Sequence, residues 1–138
     1  MMNTNLVNKV GSIGQDNLLA KIFPPAEMTG VIIRKGTTET IYPRGTVLAR
    51  SSIDKKLVIL GTTAAAASGD TPAETLTPAY ILCDDVTVGT AADAPAVAYR
   101  TGNFNRGAVT VKDGYTMTAD DEDALRKYGI VFTDMLPA

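Results

Sequence analysis

The richest chemistry in this sequence lies in "TADDEDALRKYG", residues 118–129, where Asp120, Asp121, Glu122 and Asp123 stand side by side. Carboxylates that converge on one point hold a divalent cation or divide acid and base roles between them. A calcium loop needs acids at alternating positions, a glycine at the sixth and a distant bidentate Glu, and this run has no such order. On a helix, successive side chains splay apart by about 100°. Read instead as the start of a helix, every residue has a place. Acids are favoured where unpaired backbone N–H groups carry partial positive charge. Thr118 is the expected N-cap, with Asp121 three residues later in an arrangement close to a capping box. Arg126 and Lys127 complement the opposite end, Gly129 falls where a left-handed C′ residue belongs, and Ala124, Leu125 and Tyr128 supply an apolar face.

Other reactive pairings are sparse. Asp84 and Asp85 end the run "AYILCDD", where adjacent acids read more readily as a turn than as a catalytic dyad. Ser52 with Lys55 or Lys56 lies around a tight turn, and turn chemistry accounts for the three better than a Ser-Lys nucleophile does. "GSIG" and "GTT" lack the lysine of a phosphate loop. There is no histidine, which excludes Ser-His-Asp and Cys-His catalysis and any His-ligated metal. The single cysteine, Cys83, rules out an internal disulfide and reads as a small buried hydrophobe, in keeping with a reducing compartment. No catalytic residue, no metal and no cofactor is expected.

Composition narrows the partners. A net charge of −2, with the 13 bases scattered in runs no longer than two, argues against nucleic acid. "YRTGNFNRG" mixes aromatics with two arginines, too few for a nucleic-acid platform. No stretch approaches the roughly 18 apolar residues of a membrane span, and the first residues lack a signal-peptide core.

The elements that must carry these residues are mostly strands. At 138 residues the chain is expected to form one domain. Residues 1–28 read as an N-terminal arm, extended or partly helical, that stops at Pro24-Pro25 and lies on its own body or on a partner. The body, 29–138, opens with "TGVIIRKG", followed by extended "TTETIYPRG" and by strands in "TVLARSS" and "KKLVIL". Residues 61–79, rich in Ala, Thr, Gly and Pro, read as a long surface loop, and strands follow in "AYILCDDVTVG", "AVAYRTG", "NFNRGAVTV" (with Gly107 as a bulge) and "IVFTDM". The predicted fold is mainly β (α+β): a compact β-rich body, about seven short strands, with one short helix near the C-terminus and an extended N-terminal arm.

The succession "YPRGTVLARSS", "PAYILCDDVTV", "APAVAYRTGNFNRGAVTV" and "DALRKYGIVF" resembles the head decoration proteins of tailed bacteriophages, the group that includes the phage lambda head-stabilising protein. The resemblance covers roughly residues 40 to 134 and rests on the order and spacing of the blocks. It implies a small barrel or tulip-like body that assembles as a homotrimer. Such trimers sit at (quasi-)threefold axes on the outer surface of an expanded capsid, assembled in the host cytoplasm, and clamp neighbouring major capsid proteins. It further implies that the N-terminal segment adds a strand to capsid β-structure. Val31, Ile32 and Ile33 suit that role, with Ile13, Leu18 and Leu19 as upstream anchors, because strand addition asks only for an extended, β-prone segment. The competing classes are a small β-rich enzyme or ligand-binding domain using carboxylates such as Asp84 and Asp85, and a trimeric tail or baseplate accessory module.

Overall fold

The computed structural model describes residues 17–134. Its strands are β1 (Leu19–Lys21), β2 (Glu27–Ile33), β3 (Thr40–Tyr42), β4 (Val47–Ser51), β5 (Leu57–Ile59), β6 (Leu76–Leu82), β7 (Val86–Val88), β8 (Ala94–Asn105) and β9 (Ile130–Thr133). Helix α1 spans Ala119–Lys127, and one 3-10 turn covers Arg106–Ala108. β8, β2, β5, β4 and β6 follow one another edge to edge, and β6 returns to β8, so five strands close into a small barrel. β1 and β9 flank the far half of β8, while β3 and β7 pair separately.

Alternation along the ring strands explains two cores. In β4, Leu48 packs with Ile33, Leu57, Leu82, Ala94 and Ala98, a cluster drawn from all five ring strands and therefore the barrel filling. A five-stranded ring is narrow, and β8 turns small side chains, Ala94, Ala96 and Ala98, towards that cluster. Val47 and Ala49, on the opposite face of β4, join Val58, Ile81, Tyr99, Phe104, Leu125 and Ile130 in a second cluster. β1, β9 and α1 form its outer cover. Phe104 is its centre: fully buried, 5.4 Å from the Tyr99 ring and 6.4 Å from the Phe132 ring.

β8 is one strand of 12 residues, where the sequence suggested two runs broken near "TGN". The glycine there serves close approach rather than a turn. Gly102 has φ +151°, and a Cβ on it would meet the Phe104 ring at 2.8 Å. β8 ends at Asn105, whose side chain accepts from the Gly107 N–H and starts the 3-10 turn. In "NFNRGAVTV" only the first three residues are strand, and Gly107 belongs to the 3-10 turn that follows rather than to a bulge. β6 begins at Leu76, inside the stretch read as loop. Pro78 is tolerated within it beside an irregularity between Leu48 and Ala49 of β4, where the missing N–H costs no regular ladder bond.

Residues 19–33 run along one edge of β8 as a single interrupted strand. β1 pairs with Phe104 and Asn103, and β2 pairs with β8 from Thr101 back to Ala94. Proline cannot donate to a ladder, so the Pro24-Pro25 pair breaks the run into a short excursion. Two of its carbonyls tie that excursion to β8: Phe23 O accepts from Asn103 Nδ2 at 3.1 Å, and Pro25 O from the Thr101 hydroxyl at 2.7 Å.

Candidate functional site

The acidic run is placed on the first turns of α1 and its carboxylates part company. The Thr118 hydroxyl accepts from the Asp121 N–H at 3.1 Å and Asp121 Oδ2 accepts from the Thr118 N–H at 3.0 Å, a complete capping box. Asp121 also accepts from the Tyr115 hydroxyl, whose pKa is pushed up by that carboxylate. Glu122 faces the guanidinium of Arg106 with two bonds of 2.9 Å. Asp123 pairs with Arg126 on the exposed side. Three of the four acids thus serve separate partners, and among the described residues no three metal-ligating side chains converge. At the other end Gly129, φ +96°, donates its N–H to the Arg126 carbonyl.

Asp84 and Asp85 are exposed, and Asp85 accepts from the Arg44 N–H at 2.7 Å, closing the turn that leads into β4. Ser52 Oγ accepts from the Thr75 N–H, while Lys56 pairs with Asp93 at 2.6 Å, so hydroxyl and ammonium serve different contacts. Cys83 is buried, its Sγ 3.4 Å from Met28 Sδ.

One polar centre escaped the sequence reading. Glu74 is buried and accepts from the Ser51 hydroxyl, from Arg34 at 2.6 Å and from the Ala65 N–H at 3.1 Å. Arg34 in turn grips Asp54 through two bonds of 3.0 and 3.1 Å. These donors hold the Glu74 carboxyl below its ordinary pKa, the Ser51 bond first and the Arg34 bond second. The network ties the Ala-rich loop to the barrel end. A lone Glu between two prolines gives no signal of this, because its guanidinium partner lies 40 residues away.

The surface offers more than the polar groups do. Ile22 and Phe23, thrown outward by the proline excursion, are 93% and 78% exposed, with exposed Leu19 beside them on β1. A second apolar face lies on the outside of the β2–β8 pair. Register sets Gly30 against Val97 and Ile32 against Pro95, with Met28 next along, and all of these are exposed. The outer cover that buries Tyr99 stops short of them.

Of the residues the sequence pointed to, Ile13 lies outside the described residues. Leu18 is 2% exposed in the second core, and its carbonyl accepts from the Asn105 N–H at 2.8 Å. Ile33 fills the barrel and Val31 is half-buried at its mouth. Alternation thus turns Leu18, Ile33 and Val31 into this body's own packing and leaves Leu19 and Ile32 outside. Ile22, Phe23, Met28 and Val97 were not singled out in the sequence, since their exposure depends on which neighbours fail to cover them.

Contiguous exposed apolar side chains are the usual mark of a contact surface. Residues 23–131 match the family model described as bacteriophage lambda head decoration protein D. No curated protein matches the chain.

Proposed function

From the membership of this chain in the bacteriophage lambda head decoration protein D family, we propose that it acts as a trimer on the outer surface of an expanded phage head. There it clamps neighbouring major capsid proteins at threefold and quasi-threefold axes. The family match carries the decoration role; the Ile22–Phe23 excursion supports the mode of docking. These adjacent large apolar side chains are almost bare in the isolated chain. Burying each on another surface would contribute about 1.5–3 kcal/mol. Repetition around a trimer makes modest contacts strong in sum.

Leu18, next to Asn105 and the end of β9, lies on the same edge as Leu19, Ile22 and Phe23. We assign Ile13, Leu19 and Ile32 to capsid contact, the first as part of a strand added to capsid β-structure.

The test is the addition of purified variants to expanded heads that lack a decoration protein. Ile22→Ser/Phe23→Ser and a deletion of residues 1–16 are expected to keep the circular dichroism of the parent, since Leu18 and all nine strands remain. Each is expected to raise the half-saturating concentration on heads by at least about tenfold. Variants that decorate as well as the parent would place the docking surface elsewhere on the body.

A further inference from the structure

The barrel is not evenly closed. β2 pairs with β8 along its whole length, yet meets β5 only at Ile33, opposite Leu57, where the Arg34 N–H donates to the Leu57 carbonyl at 2.8 Å. From Glu27 to Ile32 the other edge of β2 is without a strand partner among the described residues. The direction of its polar groups follows from two bonds. The Val97 carbonyl accepts from the Cys83 N–H on the β6 side of β8, so the Gly30–Val97 pair is not hydrogen-bonded and Gly30 turns its N–H and C=O away from β8. Arg34, an even-numbered residue like Gly30 and Ile32, presents its N–H on that same outer side.

Along this edge runs a groove. Its first part, 440 Å³, has Val31, Leu57, Tyr80 and Ala96 as an apolar floor, with Lys55 and Arg50 on the far wall. Its second part, 270 Å³, continues past the shared Arg50 and Tyr80 to Tyr128 and to Arg100, which is already paired with Glu27 at 2.9 Å, so the uncompensated charge lies in the first part. Arg50 is only half exposed, and its guanidinium lies 5.3 Å from the Tyr80 ring centre and donates to the Tyr80 hydroxyl. Neither Arg50 nor Lys55 has a carboxylate partner among the described residues. A half-buried guanidinium with most of its five donors unused favours an anionic partner.

The geometry points to this groove as an acceptor for an extended strand of the capsid shell protein, one that alternates apolar and carboxylate-bearing residues. The assignment of the partner to the shell rests on the decoration reading above; the chemistry of the strand rests on the groove. The added strand continues the sheet from β2, taking the Gly30 N–H and C=O and the Ile32 N–H into its ladder. Its apolar side chains meet Val31, Leu57 and Ala96, and its carboxylates meet Arg50 and Lys55. Clamping then works in both directions, with the chain receiving a capsid strand as well as docking on the shell.

Two variants test this with purified expanded heads as the probe. Gly30→Pro removes the edge N–H and leaves the β8 side of β2 intact; a Cβ at Gly30 meets nothing within 4 Å, and proline is accepted where the N–H faces outward from an edge. Arg50→Gln/Lys55→Gln removes the charge while leaving the backbone unchanged, so it tests the groove even if the proline variant fails to fold. Both are expected to raise the half-saturating concentration on heads at least about tenfold while sedimenting as the parent does, and the charge variant is expected to lose most of the parent's salt dependence. If the parent binds heads and the Gln pair, or a folded proline variant, binds equally well, the groove is not an acceptor, though the decoration reading stands. If the variants dissociate the protein instead of weakening head binding, the groove takes a second copy of this chain and the inference is overturned. A parent that does not bind heads at all fails the decoration reading itself.

Discussion

Glu74 is the side chain on which the barrel end depends. It is buried, and its carboxylate gathers Ser51, Arg34 and the backbone of Ala65, so a single residue anchors the loop from 61 to 75. Glu74→Gln keeps the shape but removes the charge that Arg34 faces, and is expected to cost about 1–3 kcal/mol. The pH dependence has a definite sign. The folded-state pKa is lowered from the ordinary 4.5, so the contribution is complete above 4.5 and is lost as pH falls through the lowered value. Thermal unfolding of parent and variant should therefore show a gap at neutral pH that closes in acid, and a gap of constant size would mean that the charge contributes nothing. The sequence carries no local sign of this residue's role, because Ser51 sits at the end of β4 and Arg34 just past β2, both far away along the chain. It did identify Thr118 and Gly129 as helix ends, because a cap is decided within a few neighbouring residues.

Elements show the same division between local and distant causes. α1 was legible from Thr118 to Gly129, since every residue that fixes it lies within the stretch itself. Gly129→Val puts a β-branched residue at φ +96° with its Cβ 3.0 Å from Thr101 Cγ2, and is expected to destabilise the fold by about 1 kcal/mol or more. An unchanged melting temperature would show that the helix end adapts. In the sequence alone Gly102 resembles a break in β8, and only the Phe104 ring packed beside it explains a glycine there. Composition marks the Ala-rich segment as a loop, whereas the bracket of Ala65 and Glu74 at its base depends on contacts made only in the fold. Beyond that bracket Ser68 and Thr71 pair around a tip at Gly69, where an added Cβ meets nothing within 4 Å. A short Gly-Ser tract inserted at Gly69 is expected to leave both the unfolding transition and head addition as they are, and loss of head addition would put this tip at an interface.

At the scale of the whole molecule, the fold uses the apolar residues of residues 18–33 in two ways. Leu18 and Ile33 hold the body together, whereas Leu19, Ile22, Phe23, Met28 and Ile32 remain on its surface. Mainly β architecture with one short helix was readable from strand-forming runs and turn residues; closure of the ring and the uncovered strand edge were not, since they depend on which strands meet. On the trimer reading proposed above, each of these surface contacts would be repeated three times. The most direct measurement is the saturating copy number on purified expanded heads that lack a decoration protein, read by quantitative sedimentation or charge-detection mass spectrometry. Saturable addition in multiples of three is expected, with unexpanded heads left bare. No saturable addition, or a copy number unrelated to threes, would contradict the account.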